Sequence, residues 1–365
     1  MNTDYTKMKR SDFIRATGLG AFLSMAGFAQ SNGQGNGQND PQNNAQNVRQ
    51  PEQDMAGGNS SLIYPSRLTP GDTIAIVATA GIVSDEATLM NMRRSLESMG
   101  LRVRFGESVK ARHGYFSGTD AERAADLHRM FLDPEVKAVM AVRGGWGTAR
   151  LIPLLNFQDI RRHPKIFCGF SDNTTLHLAF LKHAGLVSFH GPNGNADWST
   201  LTTKSFRTVL LGDGGTGRRN VEFRSEGSTS AIQGGVASGP LIGGNLSILT
   251  SAIGTSYQPE TNAAILFAED IGEPPYKIDR MLTHLRLAGL LDGISGFVFG
   301  TCLNCKEEES AFSLREVLEH HLKPLGVPVL MGVDIGHHAR NFTLPMGWDV
   351  QMDADRGLIT AELPG

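Results

Sequence analysis

The sequence is short of cysteine, with three in 365 residues, and short of aromatic side chains, which make up 7%. Three thiols cannot staple a disulfide scaffold. Cys302 and Cys305 form one C-x-x-C, but the second ligand pair that a structural zinc site needs is missing. An excess of charge of one sign is also lacking: the formal net charge is -3, and no basic stretch is interleaved with aromatics. Nothing therefore marks a nucleic-acid partner. No apolar run is long enough for a stable membrane span. No two histidines stand at i and i+4, which removes the commonest metal-hydrolase signature. No internal repeat is visible. What remains is an ordinary globular composition, 40% hydrophobic and 19% charged, with no sign of a bound metal or cofactor.

The first thirty residues read as separate from the fold. From Met8 the chain runs "MKRSDFIRATGLGAFLSMAGFAQS", a basic start, a short apolar stretch and small residues near Ala29. That is the layout of an export signal, and "KRSDFIR" resembles a degenerate twin-arginine motif with Lys9 in the first arginine place. An amphipathic helix is the other reading. Residues 31–61 are rich in Gly, Asn and Gln and cannot bury enough apolar surface to offset chain entropy, so they read as a disordered linker. Export to the periplasm follows as an expectation, and it would leave Cys302 and Cys305 free to form a local disulfide. A small buried residue is the competing role for any of the three cysteines.

From Leu62 to about residue 192 strands and helices alternate. "DTIAIVATA", "LRVRFGESV", "VKAVMAVRGG" and "KIFCGF" read as strands; "DEATLMNMRRSLESMG", "AERAADLHRMFLDP" and "NTTLHLAFLKHAG" read as helices. This alternation predicts a parallel sheet covered on both faces. Residues 193–240, rich in Gly, Ser, Thr and Asn, read as a loop or interdomain crossing. Residues 241–365 mix short strands with two helices, one of them "YKIDRMLTHLRLAGL", and predict a smaller C-terminal α/β, β-rich domain.

Ligands of open α/β sheets bind beyond the carboxyl ends of the strands, which directs attention to "RGGWG", "GFSD" and "FAED". Ser171 stands at a strand-to-helix turn. There its hydroxyl serves either as a nucleophile or as a cap for the helix that follows, and the Asp172 amide is placed to donate to an oxyanion. The glycines around Gly145 allow close backbone approach or simply make a tight turn. Glu269 ends an apolar strand, where a carboxylate faces a cleft and orients a histidine or caps a turn. Among eleven histidines, His337 lies in a Gly- and Pro-containing loop and His190 ends an apolar strand as its rival. His320 and His321 read as solvated residues of a polar helix, and His177 and His183 as packing or surface residues.

Taken in order, "RGGWGTARLIPLLNF", "HPKIFCGFSDNTTLHLAF", "FHGP", "LFAEDIGEPPYKIDRMLTHL" and "GHHARNFTLPMG" resemble the LD-carboxypeptidase family of serine peptidases across the whole folded region. The resemblance implies a flavodoxin-like N-terminal domain and a Ser–Glu–His triad made of Ser171, Glu269 and His337. It also implies an oxyanion hole from the amides of Asp172 and Gly145, and no cofactor. Two positions depart from the usual pattern. Trp146 stands where relatives carry tyrosine, and His338 where they carry glycine.

The implied substrate is the murein tetrapeptide, cut to release its terminal D-alanine, and the implied assembly is a homodimer. Trp146 is a candidate substrate contact. So is Trp198, whose indole either stacks on a base, as in the microcin C self-immunity branch, or packs against the domain. A muropeptide-binding protein without turnover is the alternative of a different class.

Overall fold

A computed structural model describes residues 62–83, 85–212, 217–307 and 311–364. The segments read as an export signal and a linker, residues 1–30 and 31–61, lie outside the described residues.

β1 (Thr73–Val77) is buried along its whole length, as a strand covered on both faces must be. Its alternate side chains enter two different cores. Ile74 and Ile76 share a cluster with Leu89, Met92 and Leu96 of α1 (Glu86–Glu97), and Ala75 and Val77 share one with Leu127 and Phe131 of α2 (Asp120–Leu132). Both helices start where the sequence signals a start. Asp85 accepts the Thr88 amide at 2.7 Å, and Thr119 with Glu122 forms a capping box.

The next elements are β2 (Arg102–Phe105), β3 (Val136–Ala141), α3 (Phe157–Arg162), β4 (Ile166–Gly169), α4 (Thr174–Ala179) and β5 (Ser188–His190). The five strands pair in parallel in the order β2-β1-β3-β4-β5, the flavodoxin-like arrangement. The glycine loop after β3 thus leaves the sheet at the switch point, and Ser171 leaves it beside that loop.

α4 continues through a π turn, Phe180–Ala184, and stops at Gly185 with φ 60°. Phe180 there lies within 5.4 Å of Phe131, 6.3 Å of Phe157 and 5.2 Å of Phe167, ring centre to ring centre. Phe180→Ala is expected to cost about 3–5 kcal/mol, because no neighbour can fill the space of a ring enclosed by three others. Urea unfolding checks this as a fall in midpoint at unchanged slope.

The stretch 193–240, read as a loop or interdomain crossing, carries α5 (Thr200–Leu210), β6 (Arg219–Arg224), β7 (Ser230–Gln233) and the first half of β8 (Val236–Asn245). Its polar composition conceals one-sided elements. In β6 only Val221 and Phe223 are buried, and α5 turns Leu201, Phe206, Val209 and Leu210 inward from a Ser199 cap. After these come α6 (Leu246–Ser251), β9 (Ile265–Ile271), α7 (Pro275–Leu287), β10 (Gly296–Leu303) and α8 (Leu314–Leu322), then β11 (Val329–Met331), β12 (Leu344–Met346), β13 (Asp349–Asp353) and β14 (Leu358–Leu363). The second sheet runs β6-β14-β13-β8-β9-β10-β11-β7, with β8 to β11 parallel. It has eight strands against six in the first sheet, because the crossing stretch supplies two of them.

The sixth strand of the first sheet is β12, which returns from the second sheet to pair antiparallel with β5, Leu344 opposite His190. The segment between β11 and β12 therefore bridges the two sheets, and it carries His337. Among the described residues no helix is long and apolar enough to cross a membrane. Cys302 and Cys305 are joined as a disulfide, and Cys168 is a free thiol, fully buried, whose ionisation burial disfavours. His321, read as solvated, is instead buried and hydrogen-bonded to Asp279 at 2.7 Å. It lies on the inner face of α8 with Val317, Leu318 and Leu322, where its neighbour His320 does not.

Candidate active site

Ser171 has φ 67°, a backbone conformation that costs an L-residue with a side chain free energy and marks a sharp strand-to-helix turn. An N-cap residue is extended, so this φ excludes the capping role. The helix that follows is preceded by Asn173 and takes no side-chain cap from Ser171.

The turn is held from below by amide side chains. Asn193 Oδ1 accepts the Phe170 amide at 3.1 Å, and Asn173 donates to the Phe170 carbonyl at 3.1 Å and to Asn193 at 3.2 Å. Thr79, two residues past the end of β1, donates to Asn173 Oδ1 at 2.7 Å. These residues are buried and polar, and they fix the serine where a loop alone would let it relax.

The Ser171 Oγ lies 3.0 Å from His337 Nε2, and His337 Nδ1 lies 2.7 Å from Glu269 Oε2. Asn245, the last residue of β8, donates to Glu269 Oε1 at 3.3 Å and to Asp270 at 3.0 Å. It also caps α6 through the Ile248 amide. Glu269 is fully buried, and burial raises its pKa against the opposing hydrogen bonds of His337 and Asn245. Burial also opposes a charge on His337, but the hydrogen bond and charge of Glu269 outweigh it and hold the imidazole pKa above 6.5. The three groups thus stand in the arrangement that a nucleophile, a base and an orienting carboxylate require.

Gly336 makes the pair fit. A Cβ there would stand 2.5 Å from Glu269 Oε2, and the residue has φ 121°. Gly144 does the same for Ser171, since a Cβ would stand 2.8 Å from that of the serine. Gly145, the glycine chosen from sequence for the second amide, follows it at φ 127° and lies against Gly81. The Asp172 amide opens the helical turn after Ser171, where the helix dipole favours a developing negative charge.

The other candidates separate cleanly. His190 is fully buried, with neither ring nitrogen hydrogen-bonded among the described residues, and burial lowers its pKa well below 6.5. It packs edge-on against Phe267 and Phe170 instead of meeting Ser171. His177 bridges Ser188 and the Gly169 carbonyl in the core. Trp146 is half exposed on the glycine loop. Trp198 packs against Phe206 with ring centres 5.2 Å apart, and does not line the hollow beside His337 formed by Phe170, Asn195, Asp197, His338 and Asn341. His338 turns its Nδ1 to the Arg340 amide. Among the described residues no cluster of His, Cys, Asp and Glu could hold a metal ion.

Sequence reading missed Gly144, Asn173, Asn193, Asn245 and Gly336. The glycines lay inside motifs already singled out. The asparagines carried only the weak signal of a polar residue at a strand end, and their partners are 20 or more residues away or in backbone that no side-chain pattern reveals.

Comparison with known proteins places the chain in a family. Residues 74–191 match the LD-carboxypeptidase N-terminal domain, and residues 238–352 match the LD-carboxypeptidase C-terminal domain. The probable murein peptide carboxypeptidase of Bacillus subtilis is 41% identical over 308 residues, 81% of this chain and 93% of that protein. The muramoyltetrapeptide carboxypeptidase of Oxalobacter formigenes superposes with a TM-score of 0.70 at 31% identity, covering 80% of this chain and all of the other. A microcin C7 self-immunity protein in complex with aspartyl sulfamoyl adenosine superposes with a TM-score of 0.75 at 26% identity, covering 82% of this chain and 98% of the other. With both domains matched in order, and a relative this similar along nearly its whole length, the chain belongs to the LD-carboxypeptidase family of peptidases.

Proposed function

We propose that the protein is a serine-type carboxypeptidase that hydrolyses the L,D-peptide bond of murein tetrapeptides and releases the terminal D-alanine. The observation that carries this reading is the continuous hydrogen-bonded line from Ser171 through His337 to the buried Glu269. Ser171 Oγ attacks the carbonyl carbon while its proton passes to His337 Nε2. The Asp172 amide and the glycine-loop backbone donate to the oxyanion. As the C–N bond breaks, His337 returns the proton to the leaving amine. A water, deprotonated by His337, then hydrolyses the acyl-enzyme and frees Ser171. Murein peptides are the substrates named for two of the similar proteins, which supports that choice of bond.

The test is mass spectrometry of a murein tetrapeptide incubated with the full chain and with its Ser171→Ala variant. Loss of one alanine with the wild type alone is the expected result. A second reading, cleavage of a peptide–nucleotide conjugate, is favoured by the relative solved with aspartyl sulfamoyl adenosine. Conjugate cleavage without alanine release would select it. Trp198, half-buried and edge-on to Phe206, lies outside the hollow beside His337 and adds no support to it.

On this mechanism His337 must be neutral to accept the serine proton. Its pKa lies above 6.5, so kcat/KM is expected to rise with pH through a midpoint above that value. A pH–rate profile checks the sign: a limb below 6.5 would mean that Glu269 does not govern His337. The export reading of residues 8–30 places the reaction outside the cytoplasm. N-terminal sequencing of the protein from separated cell fractions tests it, and an intact N-terminus in the cytoplasm overturns it.

A further inference from the structure

Asp172 follows the candidate nucleophile, and its side chain does something its amide does not. The carboxylate is almost fully buried and turns away from Ser171, back toward the glycine loop. Its Oδ2 accepts the Thr148 amide at 2.8 Å. Its Oδ1 makes no hydrogen bond among the described residues, and burial raises the carboxyl pKa against the opposing Thr148 amide and Arg123 charge. Arg123, itself fully buried, donates to the Gly147 carbonyl at 3.2 Å and to the Thr79 carbonyl, and is held by Asp120 at 2.5 Å. Phe116 lies under its guanidinium, 4.7 Å from ring centre to Cζ.

The loop so gripped is the one that most needs it. Residues 143–147 contain three glycines, and Gly145 and Gly147 both have φ near 127°. Glycines adopt many backbone shapes at similar free energy, so nothing local selects the shape that lays Gly144 against Ser171. An oxyanion donor works only when it is in place before charge develops. A buried charge is also expensive to retain without a role that repays its desolvation.

We propose that Asp172 is a positioning residue. Its carboxylate ties the serine turn to the end of the glycine loop, whose Gly147 carbonyl Arg123 holds, so that the two halves of the oxyanion hole are kept in register.

The inference rests on the nucleophile reading above, and its test is chosen to need no murein substrate. Full-length protein is incubated with diisopropyl fluorophosphate. A bond forms between Ser171 Oγ and phosphorus, the P–F bond breaks, fluoride leaves and the serine proton passes to His337. Intact mass gives the labelling rate, and amide hydrogen exchange reports the Thr148 N–H. Asp172→Ala is expected to slow labelling by about 10²-fold, the cost of losing one oxyanion donor. Asp172→Asn, which keeps an acceptor for Thr148, should fall between Asp172→Ala and wild type. Thr148 exchange should quicken in the same order. With tetrapeptide, kcat should fall at unchanged KM, because the clamp does not touch substrate.

A folded Asp172→Ala protein labelled at the wild-type rate overturns the clamp. Should that variant not fold, Asp172→Asn decides. Slower labelling with faster Thr148 exchange supports the proposal, and the wild-type value of either overturns it. A wild-type protein that takes no label overturns the nucleophile reading itself, which is a different and separable failure.

Discussion

Ser171→Ala is expected to lower kcat by about 10⁶-fold, the loss that follows removal of the nucleophile from a serine triad. A residual rate about 10³-fold above water should survive, because the oxyanion donors and the substrate contacts remain. The same position makes a second, opposite expectation about stability. Ser171 has φ 67°, which costs a residue with a Cβ about 1 kcal/mol and costs glycine nothing. Alanine retains that strain, so Ser171→Ala should unfold near the wild-type midpoint. Ser171→Gly should be as inactive as Ser171→Ala yet more stable than the wild type. Thermal unfolding of the three proteins beside their tetrapeptide turnover measures both effects. A Ser171→Gly variant less stable than Ser171→Ala would show that the turn is not strained. The combination expected, activity lost and stability gained, is the signature of a backbone held in an unfavourable shape for chemistry.

Glu269→Gln is expected to lower kcat by about 10⁴-fold, while the fold stays intact. The carboxylate accepts from His337 Nδ1 at 2.7 Å and so leaves Nε2 free to take the Ser171 proton. A glutamine amide can present its NH₂ group instead, which stabilises the wrong tautomer and leaves the serine without a base. The charge matters as well as the geometry. Burial alone would depress the His337 pKa, and Glu269 is the first of the groups that raise it. Without that charge the acid limb of kcat/KM should move to lower pH, although the rate falls. A profile whose limb stays in place would sink this account. Asn245, bonded to both Glu269 and Asp270, keeps the carboxylate from turning away from the histidine.

Much of the first sheet was legible because its strands are buried on both faces. "TIAIV" can only be an interior strand, and the caps Asp85 and Thr119 announce the helices beside it. The crossing stretch was not legible, because β6 and α5 bury one face only and their polar residues dilute the pattern. For the same reason His320 and His321 could not be told apart by composition, though one points into α7 and the other does not.

The site divides along a similar line. Strand ends pointed to Ser171 and Glu269, and the order of the motifs, through the family resemblance, added His337 from a loop. Local pattern left Ser171 between cap and nucleophile, and His337 beside its rival His190; the family resemblance alone chose Ser171 and His337. In the structure the same choices rest on a left-handed φ and on a hydrogen bond spanning 166 positions, the second made possible by β12 crossing back to the first sheet. The supporting groups were invisible for one physical reason. Asn173, Asn193, Asn245 and the Asp172 carboxylate act through contacts made in space, with backbone or with distant side chains. Periodicity and spacing record which residues a segment must bury, but not what those residues meet once they are buried.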